Sequence, residues 1–118
     1  MKVYGLGLKG EQAAVRFLRK KRWRILERNF QCRFGELDII AKDKDCLVFC
    51  EVKARSEGMI AAPQESVIYA KQQKMIKTAQ YWLLSHEEDC PMRFDVVAVT
   101  VDAKGRCTVE HLENVIEL

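Results

Sequence analysis

The sequence predicts an α/β protein: a mixed sheet of about five strands with helices packed on it, in the order αβββαββ, forming one domain over residues 1–118. Three observations carry this. A length of 118 residues suits a single core, since domains of about 100–150 residues are the commonest size. Residues 46–52 (Cys-Leu-Val-Phe-Cys-Glu-Val) are apolar on both faces as far as Glu51, the mark of a central strand covered from both sides. Two helical patterns are separated by a meander of strand-like segments, and two more strands follow, which places helices against a mixed sheet.

Residues 10–22 read as a helix. Ala14, Phe17, Leu18 and Lys21 fall at i, i+3, i+4 and i+7, and Glu11 extends the same face. Residues 23–29 follow as a first strand. Residues 34–41 make a second by alternation, with Glu36, Asp38 and Ile40 on one face and Leu37, Ile39 and Ala41 on the other. Asp43-Lys44-Asp45 is a turn, so the strand at 46–52 is its antiparallel hairpin partner. Residues 56–62, with Gly58 in the middle, read as a loop. Pro63 suits the first turn of a long helix running to about Ser85, with Ile68, Met75, Ala79 and Trp82 as its buried stripe. Residues 92–101 form another apolar strand and 107–111 a short closing one.

Composition sets further bounds. An apolar fraction of 48% with 31% charged residues excludes wholesale disorder. No apolar run approaches the roughly 20 residues of a membrane helix, and residues 1–10 lack a signal-peptide core. A cytoplasmic location and no membrane partner are the expectation. The five cysteines, Cys32, Cys46, Cys50, Cys90 and Cys107, include no CxxC pair. Cys46 and Cys50 on one strand stand roughly 13 Å apart, too far for a disulfide. All five are expected as reduced thiols, and neither His86 nor His111 stands at zinc-ligand spacing.

The net charge of +3 hides an asymmetry. Residues 1–35 carry ten Lys/Arg against two acids, Glu11 and Glu27, whereas the remaining chain carries ten against fifteen. Arg16, Arg19, Lys20, Lys21 and Arg22, with Arg24 and Arg28 beyond, form a cluster suited to a polyanion. A solvated helix end is the alternative, because cations also stabilise a helix C-terminus.

Glu51 is the anomaly of the pattern. A carboxylate at the interior end of a central strand is costly unless it is paired or bound to a metal. Lys53, two residues on, should leave the same face. Asp38 lies on the neighbouring hairpin strand, and the hairpin folds it towards Glu51. Two carboxylates and a lysine at a strand end suit Mg²⁺ or Mn²⁺, hard cations that take oxygen ligands and substrate phosphate. Lys53 would orient an attacking water or stabilise charge on the phosphate. A structural ion pair, Glu51 with Lys53 or Asp38 with an arginine, is the competing reading.

Asp38 followed by Glu51-Val52-Lys53 resembles the PD-(D/E)xK signature of restriction-endonuclease-like nucleases, with Leu37 in place of the proline. The wider string is more specific. Gly10-Glu11, Ala14, Phe17-Leu18, Arg28-Asn29-Phe30, Gly35-Glu36-Leu37-Asp38-Ile39-Ile40-Ala41, Val48-Phe49-Cys50-Glu51-Val52-Lys53-Ala54-Arg55 and Arg93-Phe94-Asp95-Val96-Val97 together resemble the bacterial YraN-like family. That family is similar in fold to archaeal Holliday junction resolvases and is held to contain nucleases. The resemblance implies a restriction-endonuclease-like fold and a metal-dependent endonuclease acting on structured or single-stranded DNA, ahead of RNA. By motif, Asp38 and Glu51 would be the metal ligands, Lys53 the catalytic lysine, and Glu11 the helix-borne acid that completes the site. Glu36 is a second-tier candidate. Similarity to resolvases also implies a two-fold homodimer. Met59-Ile60-Ala61-Ala62 departs from the family's more polar stretch. A nucleic-acid-binding module that keeps the fold without cleaving is the alternative.

Lesser signals complete the reading. Lys71, Lys74 and Lys77 make a basic stripe on the second helix, which is either simply solvent-facing or lets Lys71 reach a phosphate. Asp95 should pair with an arginine such as Arg93. Trp23, Tyr81 and Trp82 are expected as core or half-buried side chains, with base-stacking platforms as the alternative. His86 and His111 offer no triad with a serine or cysteine.

Overall fold

The computed structural model describes residues 2–58 and 69–116. They form α1 (Lys2–Lys20), β1 (Arg24–Cys32), β2 (Gly35–Asp43), β3 (Cys46–Ser56), α2 (Tyr69–Leu83), β4 (Met92–Val101) and β5 (Cys107–Leu112). The fold is mixed α/β, with five strands in the spatial order β1-β2-β3-β4-β5. β3 and β4 are parallel, and the other neighbours are antiparallel. A parallel pair needs a crossover, and α2 lies within it.

β3 is central because both of its faces are buried. Val48 and Cys50 join Ala14, Leu18, Ile39, Val97 and Val99 in the core beneath α1. Leu47 and Phe49 join Ile40, Met75, Ala79, Trp82 and Phe94 in the core beneath α2. α1 crosses β3 closely at Gly10, where an added Cβ would stand 2.5 Å from the Ala54 Cβ. Only glycine fits that approach.

α1 starts eight residues before the expected Gly10 and stops at Lys20, so Lys21 does not continue its apolar face. The helix ends in a Schellman motif: Trp23 N–H reaches the Leu18 carbonyl at 3.1 Å and Arg22 N–H the Arg19 carbonyl at 2.9 Å. Arg22 takes the left-handed conformation this requires, with φ 69°. Trp23 therefore belongs to the helix stop and not to the first strand. The expected loop over 56–62, Pro63 and Ile68 fall wholly or partly on residues 59–68, outside the described residues; Ser56 itself ends β3. All five cysteines are free thiols, and burial pushes the Cys50 thiol well up. Among the described residues no helix is long and apolar enough to cross a membrane.

Candidate active site

The site grows from a break in two strands. Arg28 faces Ile39 and Phe30 faces Leu37 across β1 and β2, so Asn29 stands opposite Asp38. Asn29 is left-handed, with φ 56°. Its turn reverses the pleat on either side: Arg28 reaches towards α1, whereas Phe30 packs beneath α2. β2 shows the same reversal, with Ile39 in the α1 core and Leu37 in the α2 core. Leu37 and Ile39 thus do not share a face, contrary to the alternation expected from sequence.

Asp38 sits at that break. The pairing of β2 with β3 ends at Ile39 and Cys50, and Asp38 Oδ2 then accepts the Val52 backbone N–H at 2.7 Å. Burial pushes the Asp38 carboxyl up to about 6; the Val52 hydrogen bond opposes this, and the charges of Glu51, Glu36 and Glu11 add to it.

Asp38 and Glu51 line one cleft of about 200 Å³ together with Gly35, Glu36, Lys71, Lys74 and Met75. Neither acid has an arginine salt bridge among those recorded for the described residues. Glu51 Oε2 forms an ion pair with Lys71 from α2. Among the described residues, Glu51 Oε1 is buried without a hydrogen-bond partner.

On its other side Asp38 borders a wider cleft of about 670 Å³, whose walls include Glu11, Asn29, Val52 and Lys53. Glu11 is buried, and its Oε1 accepts from Arg28 at 2.8 Å and from Asn29 at 3.0 Å. Lys53 has no ion pair among the described residues. Glu51 and Lys53 thus border different clefts that meet at Asp38. Glu36 borders both, and its carboxylate accepts from Gln31 at 3.1 Å.

Among the described residues, no three His, Cys, Asp or Glu are gathered closely enough to cage a metal ion. Glu11 therefore lies near Asp38 without joining it in a three-acid set. Two carboxylates, one with an orphaned buried oxygen, nevertheless fit a hard divalent cation that keeps waters and shares substrate phosphate.

Arg16, Arg19, Lys20, Lys21 and Arg22 are all exposed, and α1 carries the far end of the cluster away from Glu11. Lys20 stands nine residues beyond Glu11 on α1, about 13 Å along the axis. Lys21 lies 4.7 Å from the Phe17 ring centroid, with its ammonium 3.0 Å from His111 Nδ1. The cations beside the paired acids are Lys71 and Lys74. Sequence reasoning gave no role to Asn29 or to the Arg28–Glu11 pair. The Arg28-Asn29-Phe30 string was the available signal, since an asparagine inside a strand pattern is compatible with a left-handed break.

A second buried cluster is structural. Asp95 is fully buried and takes Arg93 Nε at 3.0 Å, His111 Nε2 at 2.8 Å and the Asn114 N–H at 2.9 Å. The expected Arg93–Asp95 pair is thus present within β4, and the His111–Asp95 contact ties β4 to β5.

Fold and cleft define a small α/β domain compatible with nuclease-like folds, carrying paired acids at the end of its central strands. The chain belongs to the uncharacterised protein family UPF0102, the YraN family, whose profile matches residues 10–99. That span begins at the glycine where α1 meets β3 and includes every acid of the site. A UPF0102 protein of Geobacter metallireducens is 44% identical over 114 residues, covering 96% of this chain and 93% of that protein. One of Thermodesulfovibrio yellowstonii is 45% identical over 109 residues, covering 92% and 93%. One of Alkaliphilus oremlandii is 44% identical over 112 residues, covering 92% and 95%.

Proposed function

We propose that the chain is a divalent-metal-dependent endonuclease that hydrolyses phosphodiester bonds of structured or single-stranded DNA in the cytoplasm. The observation that carries this is the acid pair itself. Asp38 is pushed up to about 6 beside a Glu51 oxygen that is buried and unpartnered. A protein that needed Glu51 only for stability would satisfy both oxygens, because an unmatched buried acceptor costs about 1–3 kcal/mol.

Asp38 and Glu51 would hold Mg²⁺ or Mn²⁺, which when bound would polarise the scissile phosphate and lower the pKa of an attacking water. The Val52 N–H fixes the Asp38 carboxylate, so its orientation is set by backbone before any ligand arrives. Lys53, at the wall of the adjoining cleft and with no ion pair among the described residues, would donate to a phosphate oxygen or orient the water. Lys71 and Lys74 would hold the flanking phosphates. Glu11, gripped by Arg28 and Asn29, would add negative charge beside Asp38.

The test is cleavage of branched, flapped and single-stranded DNA, with an RNA arm, by purified protein in Mg²⁺ or Mn²⁺. Asp38→Asn and Lys53→Ala should each abolish cleavage while circular dichroism stays unchanged. Cutting that survives both changes belongs to another site or to a contaminant. One observation favours a non-cleaving binding module instead: Lys71 and Arg28 already engage two of the acids. That reading predicts salt-dependent DNA binding without turnover, indifferent to Lys53→Ala.

A further inference from the structure

We infer that Arg33, Phe34 and Tyr81 form a stacking platform for the bases of an unpaired DNA strand whose phosphates run over Lys74 and Lys71 into the acidic cleft. This rests on the proposed cleavage site and names the form of DNA presented to it.

Tyr81 is 44% exposed, unlike the buried Trp82 next to it, and so is more open than the core or half-buried place expected for both. Its ring meets Phe34 with centroids 6.0 Å apart and Phe30 at 6.4 Å. The Arg33 guanidinium stands 4.9 Å from the Phe34 ring centroid. A guanidinium and two partly open aromatic rings therefore lie side by side at the tip of the β1–β2 hairpin, where it rests on α2.

The platform and the cleft share a wall. Gly35 follows Phe34 and lines the acidic cleft, and a Cβ there would stand 3.1 Å from Thr78 Oγ1 and 3.9 Å from the Lys74 Cβ. Lys74 and Tyr81 are seven residues apart, so they share a helix face with about 10 Å between them along the axis. α2 carries Lys71, Lys74 and Lys77 and no acid. Charge complementarity thus calls for a polyanion, and the aromatic surface calls for one that exposes flat rings. A duplex hides its base faces in the stack, whereas an unpaired strand offers them. Stacking is indifferent to base identity, because every base has a π-face.

The test reads equilibrium binding with chelator present, so that no cleavage occurs. The probes are a fluorescein-labelled oligo-dT, an abasic oligomer of the same length, and a blunt duplex. Wild type should prefer oligo-dT to the abasic strand. Tyr81→Ala and Phe34→Ala should each weaken oligo-dT binding by about 5- to 150-fold, the range expected for one stacked base, with little change on the abasic strand. Tyr81→Phe should keep the preference, and circular dichroism should show each variant folded. Lys74→Ala should weaken dT and abasic strands alike and flatten the salt dependence. Equal binding of dT and abasic strands by wild type would overturn the proposal, as would unchanged dT binding in Tyr81→Ala and Phe34→Ala. Because binding is read without metal, a failure of cleavage at Asp38 and Glu51 leaves this result standing, and the reverse also holds.

Discussion

Asp38 Oδ2 takes the Val52 backbone N–H at 2.7 Å, just past the last rung between β2 and β3 at Ile39 and Cys50. A side chain therefore replaces a backbone carbonyl at the point where two central strands part. The carboxylate is positioned by the sheet itself, yet burial and three neighbouring acids oppose its ionisation. Stability and binding capacity pull against each other at this residue.

That opposition has a pH signature. The folded-state value of about 6 lies above the ordinary 3.8, so the folded protein holds this proton more tightly than the unfolded chain. Below about pH 3 the group contributes almost no penalty. The penalty grows as pH rises to about 6 and reaches roughly 2–3 kcal/mol above it. Asp38→Asn, which keeps the acceptor for Val52, should stabilise the protein by up to that amount at pH 7 and by almost nothing at pH 3. Urea melts at both pH values check this, and a gain that does not vary with pH would place its cause elsewhere.

A divalent cation should relieve the same penalty. Mn²⁺ is expected to raise the melting temperature of wild type at pH 7.5 and to do so less at pH 5, where protons compete for Asp38. At a hundredfold excess over its dissociation constant the shift corresponds to about 2.7 kcal/mol. Glu51→Gln should lose most of it. Lys71→Ala should enlarge it, because the ammonium that now occupies Glu51 Oε2 is gone. Identical shifts in wild type and Glu51→Gln would remove Glu51 from the binding site.

Much of the scaffold was legible because burial wrote a plain pattern. Leu47 and Phe49 face one core while Val48 and Cys50 face the other, and a strand buried on both sides leaves a continuous apolar run. The first turns of α1 were hidden by Gly5 and Gly7, which lower helix propensity by about 1 kcal/mol each and carry no side chain to mark a face. The acid pair was readable from hairpin arithmetic, since Asp38 and Glu51 lie symmetrically about the Lys44-Asp45 turn. Its surroundings were not. The left-handed Asn29 breaks a period of two from within, and no neighbouring residue announces it. Tyr81 stands off the buried stripe, four residues beyond Lys77, and only the packing of the β1–β2 hairpin on α2 sets its ring against Phe30 and Phe34. The basic run from Arg16 to Arg22 lies close to Glu11 in sequence, but the helix carries its far end away from the acids.

Asp95 obeys the opposite pH rule from Asp38. Burial alone would push its carboxyl up, but His111, Arg93 and the Asn114 N–H together more than offset this and hold it below the usual value. The stabilisation is therefore present above the ordinary carboxylate range and is lost as pH falls through the lowered folded-state value. Asp95→Ala should cost on the order of 3–5 kcal/mol at pH 7, because it removes the buried acceptor shared by Arg93, His111 and the Asn114 N–H and leaves Arg93 only its longer contact to Asp43. The deficit should shrink in strong acid. Chemical denaturation from pH 7 to pH 2.5 measures it, and a constant deficit would mean that lost packing, not charge, is the cause.

The helix stop offers a backbone prediction free of the acids. Arg22 occupies the left-handed C′ position of a Schellman motif, where glycine is the preferred residue. A Cβ in that conformation costs roughly 1–2 kcal/mol, and glycine's larger unfolded-state entropy returns part of any gain. Arg22→Gly should therefore stabilise the protein by about 0.5–1 kcal/mol, with Arg22→Ala near neutral because it keeps the Cβ. Both remove one positive charge from the exposed end of α1. If that end binds DNA, the two variants should weaken binding equally despite their different stabilities. Comparing their urea midpoints with their DNA affinities separates the backbone effect from the charge effect. Equal stabilisation by alanine and glycine would show that relief of charge repulsion among Arg19, Lys20 and Arg22, and not the left-handed backbone, sets the stability of this turn.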